Sequence, residues 1–248
     1  MIDVAICTGT YNRLAALRRG IESVRRAVGK LSYVCLLADG GSTDGTREWI
    51  AEQHDCELLE GGLDGSVPAF NACYARAIDL QCPWLVTWND EIWFLGPEPE
   101  IERAVDIMKA NPTTGVVGFA SDRYGEFRFE KTIYVTYPTQ CIFRRAAGMS
   151  VARAQGDPEG KSIWDRRLHS YGADTSFGMW LRRLGWGFHE AYDLRVHDPY
   201  RTDGGRSEPL RQRNAERTNS YLFAQMWPTA ASFSYNRADA EKYGGVLR

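Results

Sequence analysis

Apolar runs and helix-patterned stretches alternate along the first half of this 248-residue chain. The patterns predict strands over 3–7, 33–38, 56–59, 84–88 and 115–119, with helices over 14–28, 44–53, 67–80 and 99–110 between them. Strands separated by helices of this length read as βαβ units, so a parallel sheet with helices on both faces is expected. Pro97, Pro99 and Pro112 punctuate the last of these helices on both sides. After residue 120 the pattern turns irregular and aromatic. Further strands are expected near 132–136 and 139–143, a helix over Thr175–Leu184 stopped by Gly185, and a last helix over 208–226. There is no internal repeat. The expected class is α/β: a mostly parallel central sheet flanked by helices, in one continuous domain.

Hydrophobic residues make up 44% of the chain, the level of an ordinary globular protein. No apolar run reaches the roughly 18 residues that would span a bilayer. The opening MIDVAICTGTYNR has neither a basic start nor a long apolar core, so a cytoplasmic location is expected. Six cysteines show no C-x-x-C spacing, which argues against zinc, and with no export signal they are expected to be free thiols. The net charge of −2 hides an asymmetry: residues 1–143 carry 13 Lys/Arg against 20 Asp/Glu, and residues 144–248 carry 17 against 12. The acidic part suits a metal and a base; the basic part suits an anionic acceptor or a diphosphate. Solvated helix faces would give the same counts.

The chemistry concentrates where strands hand over to helices, the edge at which open α/β sheets bind ligands. Thr8-Gly-Thr-Tyr-Asn-Arg13 follows the first strand. Asp39-Gly-Gly-Ser-Thr-Asp-Gly-Thr46 follows the second. Asp39 can accept hydrogen bonds from a base or ribose, Gly40 and Gly41 allow close backbone approach, and Ser42 or Asp44 can cap the next helix. Gly61-Gly-Leu-Asp-Gly65 leads into a helix with Pro68 in its first turn and Asn71 beyond. Trp84-Leu-Val-Thr-Trp-Asn-Asp-Glu91 is an apolar strand ending in Asn89, Asp90 and Glu91. Tyr171-Gly-Ala-Asp174 opens the helix that ends in Arg182-Arg-Leu-Gly185, and His197 closes another short strand. Asp174 also suits a helix cap.

These segments, in this order over roughly residues 3–200, resemble family 2 glycosyltransferases of the GT-A fold. The resemblance implies an inverting, metal-dependent transfer of one sugar from a nucleotide-diphosphate sugar, a uridine diphosphate sugar by preference, to an acceptor hydroxyl. It implies that Thr8, Tyr11, Asn12, Arg13, Asp39, Gly40, Ser42, Gly65, Asn71, Asn89 and Asp90 line the donor. Asp90 and Glu91, with His197, would hold Mn²⁺ or Mg²⁺, and Asp174 would be the general base. Residues 1–120 would form the donor half, and 121–248 the acceptor half with a C-terminal helix. Asn89 and Ala173 stand where the family usually has carboxylates, which leaves Asp90 or Glu91 as the main ligand and Asp174 as the sole base. Tyr200–Arg206 could cover the diphosphate through Arg201 or Arg206. The acceptor stays open among glycan, lipid-linked sugar, small molecule, protein and a hydroxylated base in modified DNA. A binding module without turnover is the rival of another class. A pyrophosphorylase would need a Gly-rich loop ending in Arg or Lys after the first strand, and a dehydrogenase G-x-G-x-x-G there. Thr8–Arg13 is neither.

Overall fold

The computed structural model describes residues 1–59, 65–123, 125–129, 136, 138–168, 172–199, 225–229, 232, 234–236 and 237–247. Its centre is one eight-stranded sheet. The strands are β1 (Val4–Thr10), β2 (Tyr33–Asp39), β3 (Cys56–Leu59), β4 (Trp84–Thr87), β5 (Trp93–Phe94), β6 (Thr114–Ser121), β7 (Cys141–Arg144) and β8 (Gly187–His197). They lie in the order β3-β2-β1-β4-β7-β6-β8-β5. Only β7 and β5 run against the others. The expected α/β class and mostly parallel sheet are therefore observed.

The helices are α1 (Leu14–Ala27), α2 (Thr46–Ala51), α3 (Ser66–Asp79), α4 (Glu100–Ala110), α5 (Arg145–Ala154), α6 (Ala173–Arg183) and α7 (Arg237–Tyr243). Side chains alternate across each strand, so one strand feeds two cores. Val4 and Ile6 of β1, Cys35 and Leu37 of β2 and Val86 of β4 meet Leu17, Ile21 and Val24 of α1 and Ile101, Val105 and Met108 of α4. Ala5, Cys7, Leu36 and Leu85 face the other way, onto Phe70, Cys73 and Tyr74 of α3, Val151 of α5 and Phe177 of α6. Leu17, Ile21 and Val24 fall at helical spacing, which makes one stripe of α1 apolar. Each such side chain, fully buried, contributes about 1.5–3 kcal/mol.

Four elements depart from the expectation, α7 among them as a helix where none was expected. α5 falls in the stretch after residue 120 where no helix is expected before Thr175. A Cβ on Gly148 would lie 2.7 Å from both Ile163 and Phe143, so close packing, not flexibility, selects glycine there. β8 is eleven residues long and pairs with β6 through register shifts that blur any alternation. β5 has only two residues, directly after the turn that follows β4. The expected strand near 132–136, all but Thr136, and the helix over 208–226, all but its last two residues, lie outside the described residues. Glu60–Asp64 and Tyr200–Arg206 lie outside them too. All six cysteines are free. Burial pushes the Cys73 and Cys141 thiols up to about 12, so they serve as neutral core groups. Among the described residues no helix is long and apolar enough to cross a membrane.

Candidate functional site

β1 is flanked by β2 on one side and β4 on the other, so the strand order reverses between β1 and β4. That reversal opens a crevice at the carboxyl ends of these strands. Register places Thr10 of β1 beside Asp39 of β2, and Cys7 beside Thr87 of β4. The loops after all three strands therefore meet at one edge.

The loops after β1 and β2 are tied together. The Asn12 amide donates to Ser42 Oγ at 2.8 Å, and the Thr43 amide donates to Asn12 Oδ1 at 2.8 Å. Asn12 sits at φ +50°, a left-handed conformation that asparagine tolerates better than most residues. The Leu14 amide donates to Asp44 Oδ2 at 3.0 Å. Burial pushes the Asp44 carboxyl up, but bonds from Thr46 and from the Leu14 and Thr46 amides prevail and hold it below its ordinary range. The cap of α2 is Gly45, in the left-handed region, so neither Ser42 nor Asp44 takes the cap position itself.

Asp39 is fully buried. Its Oδ1 accepts from the Gly41 and Ser42 amides at 2.9 and 2.8 Å and faces Arg47 at 3.3 Å, while Ser42 Oγ donates to Oδ2 at 2.5 Å. The carboxylate thus organises its own loop. Gly40 donates to the Thr10 carbonyl and lies beside Tyr11, whose ring is exposed at the mouth of the crevice. Thr8 is buried within the sheet. Gly65 caps α3 at φ 105°, ψ 162°, a conformation open to glycine. Asn71 is engaged at both ends of its amide: Nδ2 donates to the Trp164 carbonyl at 2.7 Å, and Oδ1 accepts from the Trp164 amide at 2.9 Å.

Asn89, Asp90, Glu91 and Ile92 form a turn closed by the Ile92 amide on the Asn89 carbonyl at 3.1 Å. Trp88 packs beneath it, and its indole N–H donates to the Ile92 carbonyl at 3.1 Å. The turn aims both acids at the loop after β1. Thr10 Oγ1 donates to Asp90 Oδ2 at 2.8 Å. The Arg13 guanidinium bonds Glu91 and lies 3.6 Å from Asp90 Oδ1. All three charged side chains are about nine-tenths buried. The guanidinium thus fills the place beside the two carboxylates that a divalent cation would take. Two hard oxygen donors fit Mg²⁺ or Mn²⁺, which take their remaining ligands from phosphates and water.

Asp174 is the second residue of α6, whose cap is Gly172, so it lies inside the helix start rather than at the cap. Thr139 Oγ1 donates to Asp174 Oδ2 at 3.1 Å, and the Thr175 amide to Oδ1 at 2.7 Å. Thr139 precedes β7, which pairs with β4, so Asp174 stands at the same sheet edge as the acidic turn. His197 ends β8. Its Nδ1 lies 2.6 Å from Asp122 Oδ2, and its ring rests on Trp93 at 4.3 Å between centroids. Among the described residues no three His, Cys, Asp or Glu side chains are gathered as a metal group. Asp90 and Glu91 stand together, and His197 is held by Asp122. Thr10, Thr139 and Asp122 were not singled out from the sequence. Thr10 lies inside the quoted loop after β1. The other two are tied to their partners only by the fold.

The family model for glycosyl transferase family 2 matches residues 5–157. No match was found among curated proteins. Among solved structures, the mannosyltransferase PcManGT from Pyrobaculum calidifontis, in complex with GDP-Man and Mn²⁺, is 17% identical with a TM-score of 0.59, covering 98% of this chain and 76% of its own. TarS of S. aureus is 15% identical with a TM-score of 0.60, covering 80% of this chain and 37% of its own. Its 1–349 segment with UDP-GlcNAc gives a TM-score of 0.61 at 15% identity, covering 84% and 61%. The chain thus spans little over a third of whole TarS. At these identities the likeness carries the fold, which is the expected GT-A arrangement.

Proposed function

The chain belongs to glycosyl transferase family 2, and from that premise we propose that it moves one sugar from a nucleotide-diphosphate sugar to an acceptor hydroxyl, with inversion. The observation that carries this reading is the cluster of Thr10, Arg13, Asp90 and Glu91 at the crevice between β1 and β4. It draws a guanidinium and two carboxylates into one buried spot at a sheet edge, as a diphosphate and its counter-ion would require. On this reading Arg13 turns toward phosphate oxygens when donor enters. Asp90 and Glu91 would hold a divalent cation, whose chemistry is to offset the charge growing on the leaving diphosphate. Asp122 on Nδ1 of His197 leaves Nε2 as the nitrogen available to a metal. The PcManGT complex with GDP-Man and Mn²⁺ and the TarS complexes with UDP and UDP-GlcNAc support a nucleotide sugar and a cation.

The base would sit against the exposed ring of Tyr11, beside Gly40, Asn12 and Ser42. A base N–H reaching Asp39 would have to exchange with a donor of the loop itself. Asn89 and Gly65 border the same edge. Asn71 would act through Trp164, whose backbone it fixes. Asp174, oriented by Thr139 and the Thr175 amide, takes the proton of the acceptor hydroxyl. The freed oxygen attacks the anomeric carbon opposite the leaving diphosphate, and the configuration inverts. Residues 1–120 would then serve the donor and 121–248 the acceptor. Uridine is the preferred nucleotide, with the protein acting in the cytoplasm, where its neutral buried thiols stay reduced.

The test is nucleotide release from UDP-GlcNAc and GDP-mannose with Mn²⁺, by wild type, Asp90→Asn and Asp174→Asn. The reading expects donor binding lost in the first variant and retained in the second, with turnover lost in both. Binding of the donors without any release would favour a module that only holds nucleotide sugar. Absence of binding by wild type would end the reading.

A further inference from the structure

Gln140 immediately precedes β7, at the edge of the sheet that carries the acidic turn and Asp174. The residue is only 6% exposed, yet among the described residues neither Oε1 nor Nε2 has a hydrogen-bond partner. Its backbone is well held: the Phe119 amide donates to the Gln140 carbonyl at 2.9 Å. Cys141 is registered against Thr87 on one side and Gly118 on the other. One step further, Gln140 falls between Trp88 and Phe119. Alternation puts its side chain on the face of Ile142, the face that also buries Trp88 and Phe119. Trp88 leads directly into the turn bearing Asp90 and Glu91. Thr139, on the other side of Gln140, holds Asp174. The residue therefore stands between the donor cluster and the base.

A buried amide with both ends unpaired is rare in a native protein, because water has been removed and nothing replaces it. A ligand that enters this edge can supply the missing partners. The amide offers a donor and an acceptor side by side. A phosphate or carboxylate would use only the donor. Two neighbouring hydroxyls use both, one accepting from Nε2 and the other donating to Oε1. We propose that Gln140 is a specificity-determining residue that reads a vicinal pair of hydroxyls on the transferred sugar of the donor. The inference rests on the donor reading above, and it assigns the sugar end of that donor rather than the nucleotide end.

The test uses Gln140→Met, which keeps length and removes both polar atoms, with Gln140→Glu as a second variant of similar size. Binding of UDP, UDP-GlcNAc, GDP and GDP-mannose is measured by calorimetry with Mn²⁺ present, alongside the melting temperature. A partnerless amide loses nothing on replacement, so Gln140→Met should melt no lower than wild type. Its affinity for the nucleotide sugar that wild type binds should fall about tenfold or more, while the parent nucleotide binds unchanged. A donor lacking one of the two hydroxyls should show a smaller difference between wild type and Gln140→Met than the full donor does. Unchanged affinity for the nucleotide sugar in both variants overturns the assignment and leaves the donor site standing. Equal losses for sugar nucleotide and parent nucleotide overturn it as well. If wild type binds none of the four ligands, the donor reading itself fails and the assignment falls with it.

Discussion

Gly20→Ala should damage the acidic turn from the far side of the core. Gly20 lies on the inner face of α1, and an added Cβ would stand 2.1 Å from Cζ2 of Trp88, 2.4 Å from Cη2 and 2.9 Å from the Ile92 carbonyl oxygen. Carbon contacts settle near 3.5–4.0 Å, so the ring must retreat by roughly 1.5 Å. Trp88 is 1% exposed and packed within the core against the α1 and α4 face. Overpacking of this kind costs about 1–3 kcal/mol, and the rigid ring and the backbone oxygen favour the upper end. Alanine returns about 1 kcal/mol through helix propensity. The net loss expected is about 1–2 kcal/mol, read by urea denaturation. If the clash is the cause, Trp88→Phe should relieve it, and the same substitution should cost about 1 kcal/mol less in that background. Because the indole also bonds the Ile92 carbonyl, the displaced ring shifts the turn that holds Asp90 and Glu91. Nucleotide-diphosphate affinity should then fall more than in Val151→Ala, which opens the other core. A Gly20→Ala protein as stable as wild type, or one equally destabilised with Phe at 88, would refute the reasoning.

Other perturbations have outcomes of known sign. Arg13→Met removes the guanidinium from two buried carboxylates and should cost about 3–5 kcal/mol by denaturant unfolding, with millimolar Mn²⁺ restoring part of the loss. Asp174→Asn should lower kcat about 10²–10⁴-fold in steady-state assays while calorimetry finds donor affinity unchanged. Asp55 accepts from Arg25 at 2.8 and 2.9 Å and from the Tyr33 hydroxyl at 2.6 Å; the Arg25 bond, then that from Tyr33, overcome burial and hold its carboxyl far below the ordinary range. Its contribution is complete above an unfolded value of about 3.9 and is lost as pH falls toward the lower folded value. Arg25 is one-third exposed, so Asp55→Asn should cost about 2 kcal/mol at pH 7, and the difference from wild type should shrink steadily in unfolding curves below about pH 4.

The first half of the fold was legible because its periods are clean. Val4, Ile6, Leu17 and Ile21 sort themselves by strand and helix spacing, and the loops after β1 and β2 carry the glycines and acids of a ligand edge. The second half was less legible for identifiable reasons. Gly148 makes α5 look like a break, although Phe143 and Ile163 require the missing Cβ. The shifted register of β8 hides its alternation. In the site, the acidic pair at 90 and 91 could be read from its place at a strand end. Its bond to Arg13, 78 residues earlier, could not, nor could those of Asp122 to His197 or Thr139 to Asp174. Asp39 shows the opposite case. A buried aspartate followed by Gly-Gly-Ser satisfies itself on its own loop, an Asx arrangement that local chemistry alone would suggest.

Thermal unfolding of wild type and Asp90→Ala with UDP and GDP, each with and without Mn²⁺, tests the donor site most directly. A ligand present at a hundred times its dissociation constant stabilises by about 2.7 kcal/mol. A rise in melting temperature with one nucleotide, dependent on Mn²⁺ and absent in Asp90→Ala, is the predicted result. Equal rises in both proteins, or no rise with either nucleotide, would contradict a donor site built on Arg13, Asp90 and Glu91.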